Sequence, residues 1–283
     1  MTRAELTQYI NNCILLGNII TEESDIYQSI LNSFKGHLIF NILGAVNVDG
    51  IYVKLDEDNK THLVYYTRED EGVDLSNLID IIDEDAFAWN KTVRSISGKS
   101  VTKIGTGAFY HSFVEKINFP NVVEIGEEVF YRTGVKKVVL NKLNVVPMKA
   151  FAESDIVSFR GDNVKVVEAE AFRSCIYLER VAFPNLITIG ESAFYNSSIT
   201  DVVFNKVKKI PLHAFMGARL RSFKGDEVEV VGEGGFQYCE YLKRLILPKV
   251  KKIHLGYCEN TYEEGKWIAD LQMSKDCSFI YKY

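Results

Sequence analysis

One residue recurs with a period that leaves few folds open. Phenylalanine stands at Phe87, Phe109, Phe130, Phe151, Phe172, Phe194, Phe215 and Phe236, in steps of 21 or 22 residues. Five residues before each is a β-branched aliphatic residue: Ile82, Ile104, Ile125, Val146, Val167, Ile189, Ile210 and Val231. Immediately before each is a small or short one: Ala86, Ala108, Val129, Ala150, Ala171, Ala193, Ala214 and Gly235. Most units also carry an apolar pair at period two, such as Ile117 and Phe119 or Val202 and Phe204. That alternation is the mark of a short strand with one buried face. A unit of this length has too little apolar surface to bury alone, so it must stack on its neighbours. The expected fold is a mainly β repeat solenoid of about 8–9 coils, with the eight phenylalanines as a buried ladder and a small α+β domain at its N-terminal end.

A longer period overlies the short one. Pro120, Pro184 and Pro248 are 64 residues apart, as are Cys175 and Cys239. Gly98, Gly161 and Gly225 follow nearly the same spacing, in turns read as slightly longer than the rest. Three short repeats thus form one duplicated block, and every third coil is expected to protrude on one side.

The segment LERVAFPNLITIGESAF, residues 178–194, matches the unit L-x-x-[IV]-x-[LF]-P-x-x-[LV]-x-x-I-G-x-x-A-F almost position for position. The chain therefore resembles the BspA-like, or Treponema pallidum-type, leucine-rich repeats over about residues 78–258. The resemblance implies a curved leucine-rich-repeat solenoid, a role in adhesion or protein interaction, and no shared catalytic machinery. Residues 259–283 are then expected to cap the last coil.

Ahead of the repeats, residues 1–36 read as two short helices. Thr2 is placed to cap the first, with Leu6, Ile10 and Ile14 apolar; Thr21 is placed to cap the second, with Ile26, Ile30, Leu31 and Phe34 as its stripe. Helices this short need a surface to pack on, so the segment is expected to serve assembly or self-association. Residues 37–77 read as a β-rich connection, with IYVKL and HLVYY joined by the polar turn DEDNKT. That turn lacks the glycine and terminal glutamate of a calcium loop. The start MTRAELTQYIN followed by GNIITEESDIYQSILNSF is also similar to the leader of tail-fibre and other virion proteins of phages infecting gut Bacteroidetes.

Charge divides the chain in two. Residues 1–80 hold 5 Lys/Arg against 13 Asp/Glu, whereas residues 201–252 hold 11 against 6. Lys206, Lys208, Lys249 and Lys251 are a candidate basic contact face for a host surface protein or anionic glycan, and Tyr110, Tyr131 and Tyr195, each just after its phenylalanine, a candidate aromatic stripe. The overall net charge of −5 argues against nucleic acid as a partner. No run of 18 apolar residues argues against insertion into a membrane. The five cysteines are dispersed, and Cys175 and Cys239 fall at equivalent repeat positions. They read as small ladder residues, with no C-x-x-C pair for a metal or redox site. His111 and His213 read as solvent-facing turn residues, and VGEGGF is repeat grammar, not a phosphate loop. No catalytic motif, metal site or cofactor is expected. The functional expectation is a non-catalytic interaction module: a virion structural or host-recognition protein joined to other virion proteins through its N-terminal third, or a bacterial cell-surface adhesin.

Overall fold

A computed structural model describes residues 2–15, 19–21, 44–255, 270–273 and 278–281 of the chain. It is a mainly β solenoid of parallel-stacked coils, with one short helix, α1 (Arg3–Leu15), at the N-terminal end. Each repeat contributes two strands. A three-residue strand such as Lys137–Val139 turns only its middle side chain inward, and a two-residue strand such as Val145–Val146 only its second. The longer strands pair in parallel, with Ser95, Ile96 and Ser97 beside Lys116, Ile117 and Asn118, and the shorter ones likewise, with Ile104 beside Ile125.

A third ladder needs no strand. The Phe109 N–H donates to the Val129 carbonyl at 2.9 Å, Phe130 to Ala150 at 2.8 Å, Phe151 to Ala171 at 2.9 Å and Phe172 to Ala193 at 2.8 Å. Each phenylalanine is thus held by the backbone of the coil above, at the residue that is kept small. The rings follow the same spacing. Phe151 stacks on Phe130 at 5.2 Å and on Phe172 at 5.3 Å, and is fully buried. The expected ladder is present.

The ladder runs one rung further than the phenylalanines. Tyr66 stacks on Phe87 at 4.9 Å, and its N–H donates to the Ala86 carbonyl at 3.1 Å. Phe87 is therefore an interior rung, not the terminal one that a count of phenylalanines implies. Tyr66 closes β3 (Thr61–Tyr66), which pairs antiparallel with β2 (Ile51–Leu55) and, through it, with β1 (Val46–Val48). On its other side β3 pairs in parallel with Ile81–Ile82 of the first coil. The turn between β2 and β3 is held by Asp56, whose carboxylate accepts from the N–H groups of Asp58 and Lys60.

Helix α1 starts in a reciprocal cap. Thr2 Oγ1 accepts from the Glu5 N–H at 3.3 Å, and the Glu5 carboxylate accepts from the Thr2 N–H at 2.7 Å. Its apolar residues Leu6, Ile10 and Cys13 are buried and its face lies against β1 and β2. Arg3 forks onto Asp80, which also accepts from the Thr61 N–H. The expectation that the first helix needs an external partner is corrected: its stripe is satisfied by this chain's own hairpin. The second stripe, Ile26, Ile30, Leu31 and Phe34, lies outside the described residues.

Two further expectations change. The turns at Gly98, Gly161 and Gly225 are no longer than the others. Ile96 to Ile104, Phe159 to Val167 and Phe223 to Val231 each span eight residues, and so do Ile117 to Ile125 and Val138 to Val146. Gly161 is glycine because a Cβ would lie 2.5 Å from Val164 and 2.9 Å from Phe159. The extra residue of the 22-residue steps sits at another corner: Phe172 to Val181 and Phe236 to Leu245 span nine residues, against eight for Phe194 to Val202. At the C-terminal end, Asp270–Met273 and Ser278–Tyr281 pair in parallel with Arg244–Leu247 and Lys252–Leu255. The end of the chain so adds a further pair of coil strands, in the same register sense as the repeats. Cys258 and residues 259–269 lie outside the described residues.

His62 joins the hairpin to the first coil. Its Nδ1 lies 2.5 Å from Asp83 and its Nε2 3.2 Å from Asp56, while Lys54 pairs with Asp83 at 2.9 Å. Burial alone would push the imidazole pKa down, but the hydrogen bond and charge of Asp83, helped by Asp56, raise it above its ordinary value. A raised pKa contributes stability that is full below the unfolded value of about 6.5 and is lost as pH rises through the folded value. Thermal melts across neutral to mildly alkaline pH should show this end of the solenoid weakening in the wild type. His62→Gln should flatten that dependence, and an unchanged slope would exclude His62 as its source.

Candidate functional site

The coil corner that follows each phenylalanine gathers the exposed aromatic residues. Tyr110 and Tyr131, one coil apart, stack at 5.2 Å with planes 10° apart. Two residues not anticipated from sequence join them. Trp89 is 49% exposed and stacks on His111 at 4.2 Å, and it meets Tyr110 edge-on at 5.8 Å. Trp89 and His111 each stand two residues after their phenylalanine, so the period places them one above the other. Both have positive φ, 60° and 54°, which turns the chain sharply. His111 is accordingly not a plain solvent-facing residue. Burial, with the nearby Arg132 charge, lowers its pKa and keeps the ring neutral.

The cluster passes into a charged flank. The Tyr131 hydroxyl donates to Glu153 at 2.8 Å, and Arg132 Nε donates to the other oxygen of Glu153 at 2.7 Å. A cavity of about 220 Å³ opens beside them, bounded by Tyr110, Tyr131, Lys149 and Arg173 among others. Tyr195 does not continue the stack; the Arg173 guanidinium lies 5.6 Å over its ring. Arg132 lies over the Tyr131 ring in the same way, at 5.3 Å. All three tyrosines are half-buried, and the stripe resolves into one stacked cluster over the first three coils, with Trp89 its exposed member, and one separate tyrosine.

The candidate basic face is largely engaged. Lys206 Nζ donates to Asn185 at 2.8 Å, Lys249 pairs with Glu227 at 2.5 Å, and Lys251 with Glu229 at 2.8 Å. The Lys251 hydrogen bond and charge, with Lys208 and Lys249 nearby, hold the Glu229 carboxyl below its usual range. All four lysines are exposed, and Lys208 places its charge near Glu229. These contacts tie one coil to the next and hold the lysine side chains in place.

Cys175 and Cys239 are buried, and each thiol donates to a phenylalanine carbonyl one coil back, Phe151 and Phe215, at 3.0 Å. Burial pushes both thiols up to about 12, so neither supplies a thiolate at neutral pH. A thiol reagent should leave both unmodified in the folded chain and label them on denaturation, as read by peptide mass mapping. Labelling in the native state at the rate of an exposed thiol would contradict this burial.

Comparison with known proteins gives a match to the family described as BspA type Leucine rich repeat region, in six copies over residues 62–162 and 145–263. No curated protein matches the chain. Among solved structures, a leucine rich cell surface protein from Faecalibacterium prausnitzii A2-165 is 20% identical, with 76% of this chain and 83% of that one covered and a TM-score of 0.41. The pneumococcal vaccine antigen PcpA is 12% identical, covering 84% and 88%, with a TM-score of 0.41. The T. pallidum leucine rich repeat protein is 18% identical, covering 75% and 85%, with a TM-score of 0.29.

Proposed function

The chain belongs to the BspA-type leucine-rich-repeat family, and from that premise we propose that it is a non-catalytic adhesion module displayed at a bacterial cell surface. The observation that carries the reading is the aromatic cluster of Trp89, Tyr110, His111 and Tyr131 on an outer corner of the solenoid. Half-exposed stacked rings beside fixed charges are the composition of a contact surface: large apolar area, little side-chain entropy to lose, and polar tips for orientation. The core is ordinary repeat packing and asks for no ligand.

A role in a phage particle rests on the resemblance of the N-terminal leader taken together with the repeat. Helix α1 of that leader is packed on the hairpin and clamped by the Arg3–Asp80 pair, which favours the surface reading over an attachment arm. Labelling intact producing cells with a membrane-impermeant amine reagent tests it. Modification of the protein before lysis is expected; modification only after lysis would reject surface display.

A further inference from the structure

The block duplication leaves a notch whose two copies differ in charge, and we propose that the second copy binds a carboxylate-bearing oligosaccharide. This deepens the adhesion reading above and rests on it. Coils five and eight carry the extra residue after Phe172 and Phe236, so Tyr177 and Tyr241 stand out 51% and 55% exposed, 64 residues apart in equivalent turns. The two coils between them are one residue shorter at this corner and form the floor, from Ser198, Thr200, Arg219 and Arg221. Together with the tyrosines these line a groove of about 490 Å³.

The same positions one block earlier show what has changed. Subtracting 64 from Thr200, Arg219 and Arg221 gives Lys136, Asp155 and Val157. In that first notch Lys136 pairs with Asp155 at 2.7 Å and lies 5.7 Å over the Tyr177 ring, and Arg94 lies 4.8 Å over Phe113, the residue equivalent to Tyr177. The first notch thus neutralises itself. In the second, the lysine is replaced by a threonine and the aspartate by an arginine, and a further arginine replaces the valine. Neither guanidinium pairs with a described residue. Glu179, the equivalent of Glu115, shares the groove and leaves it with a net charge of +1.

Two guanidinium groups without a partner among the described residues, on a floor with two hydroxyls, call for an anionic ligand with planar carboxylates, which arginine grips in a forked geometry. A peptide is the less suitable occupant. The N–H groups of Ser198, Arg219 and Arg221 are all spent on the preceding coils, so the floor offers an extended chain no donors from these residues for strand-like pairing. A saccharide needs none. Its hydroxyls donate to Ser198 Oγ, whose own proton goes to the Ile176 carbonyl at 2.6 Å, and meet Thr200. Its apolar ring faces meet Tyr177 or Tyr241, and its carboxylates meet the arginines.

Calorimetric titration of the full chain with hexagalacturonate and with oligosialic acid tests the assignment, with neutral galactohexaose and hexaglutamate peptide as controls. At least one acidic saccharide should bind, with affinity falling as salt is raised. The triple variant Thr200→Lys/Arg219→Asp/Arg221→Val, which installs the residues of the first notch, should bind it at least tenfold more weakly with an unchanged melting temperature. Absence of binding to both acidic saccharides, equal binding of galactohexaose, tighter binding of hexaglutamate, or full affinity in the triple variant would each overturn the proposal. The adhesion reading stands or falls separately, on surface labelling and on the Trp89 cluster.

Discussion

Replacing Phe151 by alanine should lower the stability of the solenoid by about 3–5 kcal/mol, the range for deleting a buried aromatic ring. Phe151 sits between two parallel rings and meets Phe159 edge-on at 5.3 Å, so nothing nearby is free to fill the void. Because each coil touches only its neighbours, the defect also uncouples the stack on either side. Phe87→Ala should cost nearly as much, since Tyr66 stacks beneath it. Phe236 is only partly buried and stacks on Phe215 alone along the described ladder, so Phe236→Ala should cost less. Chemical denaturation of the three variants orders them. A Phe87 variant as mild as the Phe236 variant would show that Tyr66 is not a rung.

A single methyl group at Gly126 should be comparably damaging. A Cβ there would lie 2.2 Å from the Thr106 nitrogen and 2.5 Å from its Cα. Both are backbone atoms of the preceding coil, and the parallel ladder fixes the gap between coils at about 4.8 Å. The Gly126 N–H also donates to the Ile104 carbonyl at 2.8 Å, so the coils cannot part without breaking that bond. Gly126→Ala should therefore reach or exceed the ~3 kcal/mol upper end of ordinary overpacking. At Gly232 the nearest atom to a Cβ is 3.0 Å away, and Gly232→Ala should be distinctly milder. Equal effects in the two variants would mean that the lost stability comes from something other than this contact.

These two positions show what a sequence of this kind declares. The phenylalanine, the aliphatic residue five before it and the small residue just before it each face one fixed environment, and each recurs as a residue type. The I-G step is legible for the same reason: close approach of backbones excludes a side chain. What escapes is whatever the repeat does through backbone alone. The residues two before and two after each phenylalanine have positive φ throughout, from Asp85 and Trp89 to Gly234 and Tyr238. Yet they include Asp, Glu, Lys, Ser, Trp and His, because inter-coil hydrogen bonds hold the turn and the side chains point outward. Tyr66 escaped because its neighbour Tyr65 is large, on a coil whose outer side is a hairpin and not another repeat. The candidate surface was legible in part. Tyr110 and Tyr131 were visible as residues following Phe109 and Phe130, whereas Trp89 and His111 required comparing the column two residues on. The pairing of the lysines was not legible, because Glu227 and Glu229 lie within reach of Lys249 and Lys251 only once the coils are stacked.

The proposal that recognition lies on the Trp89 corner, with stability in the ladder, is tested most directly by attachment of protein-coated beads to a panel of intact bacterial and mammalian cells. Beads bearing the wild-type chain should attach to at least one cell type. Beads bearing Trp89→Ala/Tyr110→Ala should fall to the level of bare beads while the variant melts as the wild type does, and Lys249→Glu/Lys251→Glu should attach nearly as well as wild type. Wild-type beads that attach to nothing, or an aromatic-corner variant that attaches as well as wild type, would contradict the assignment.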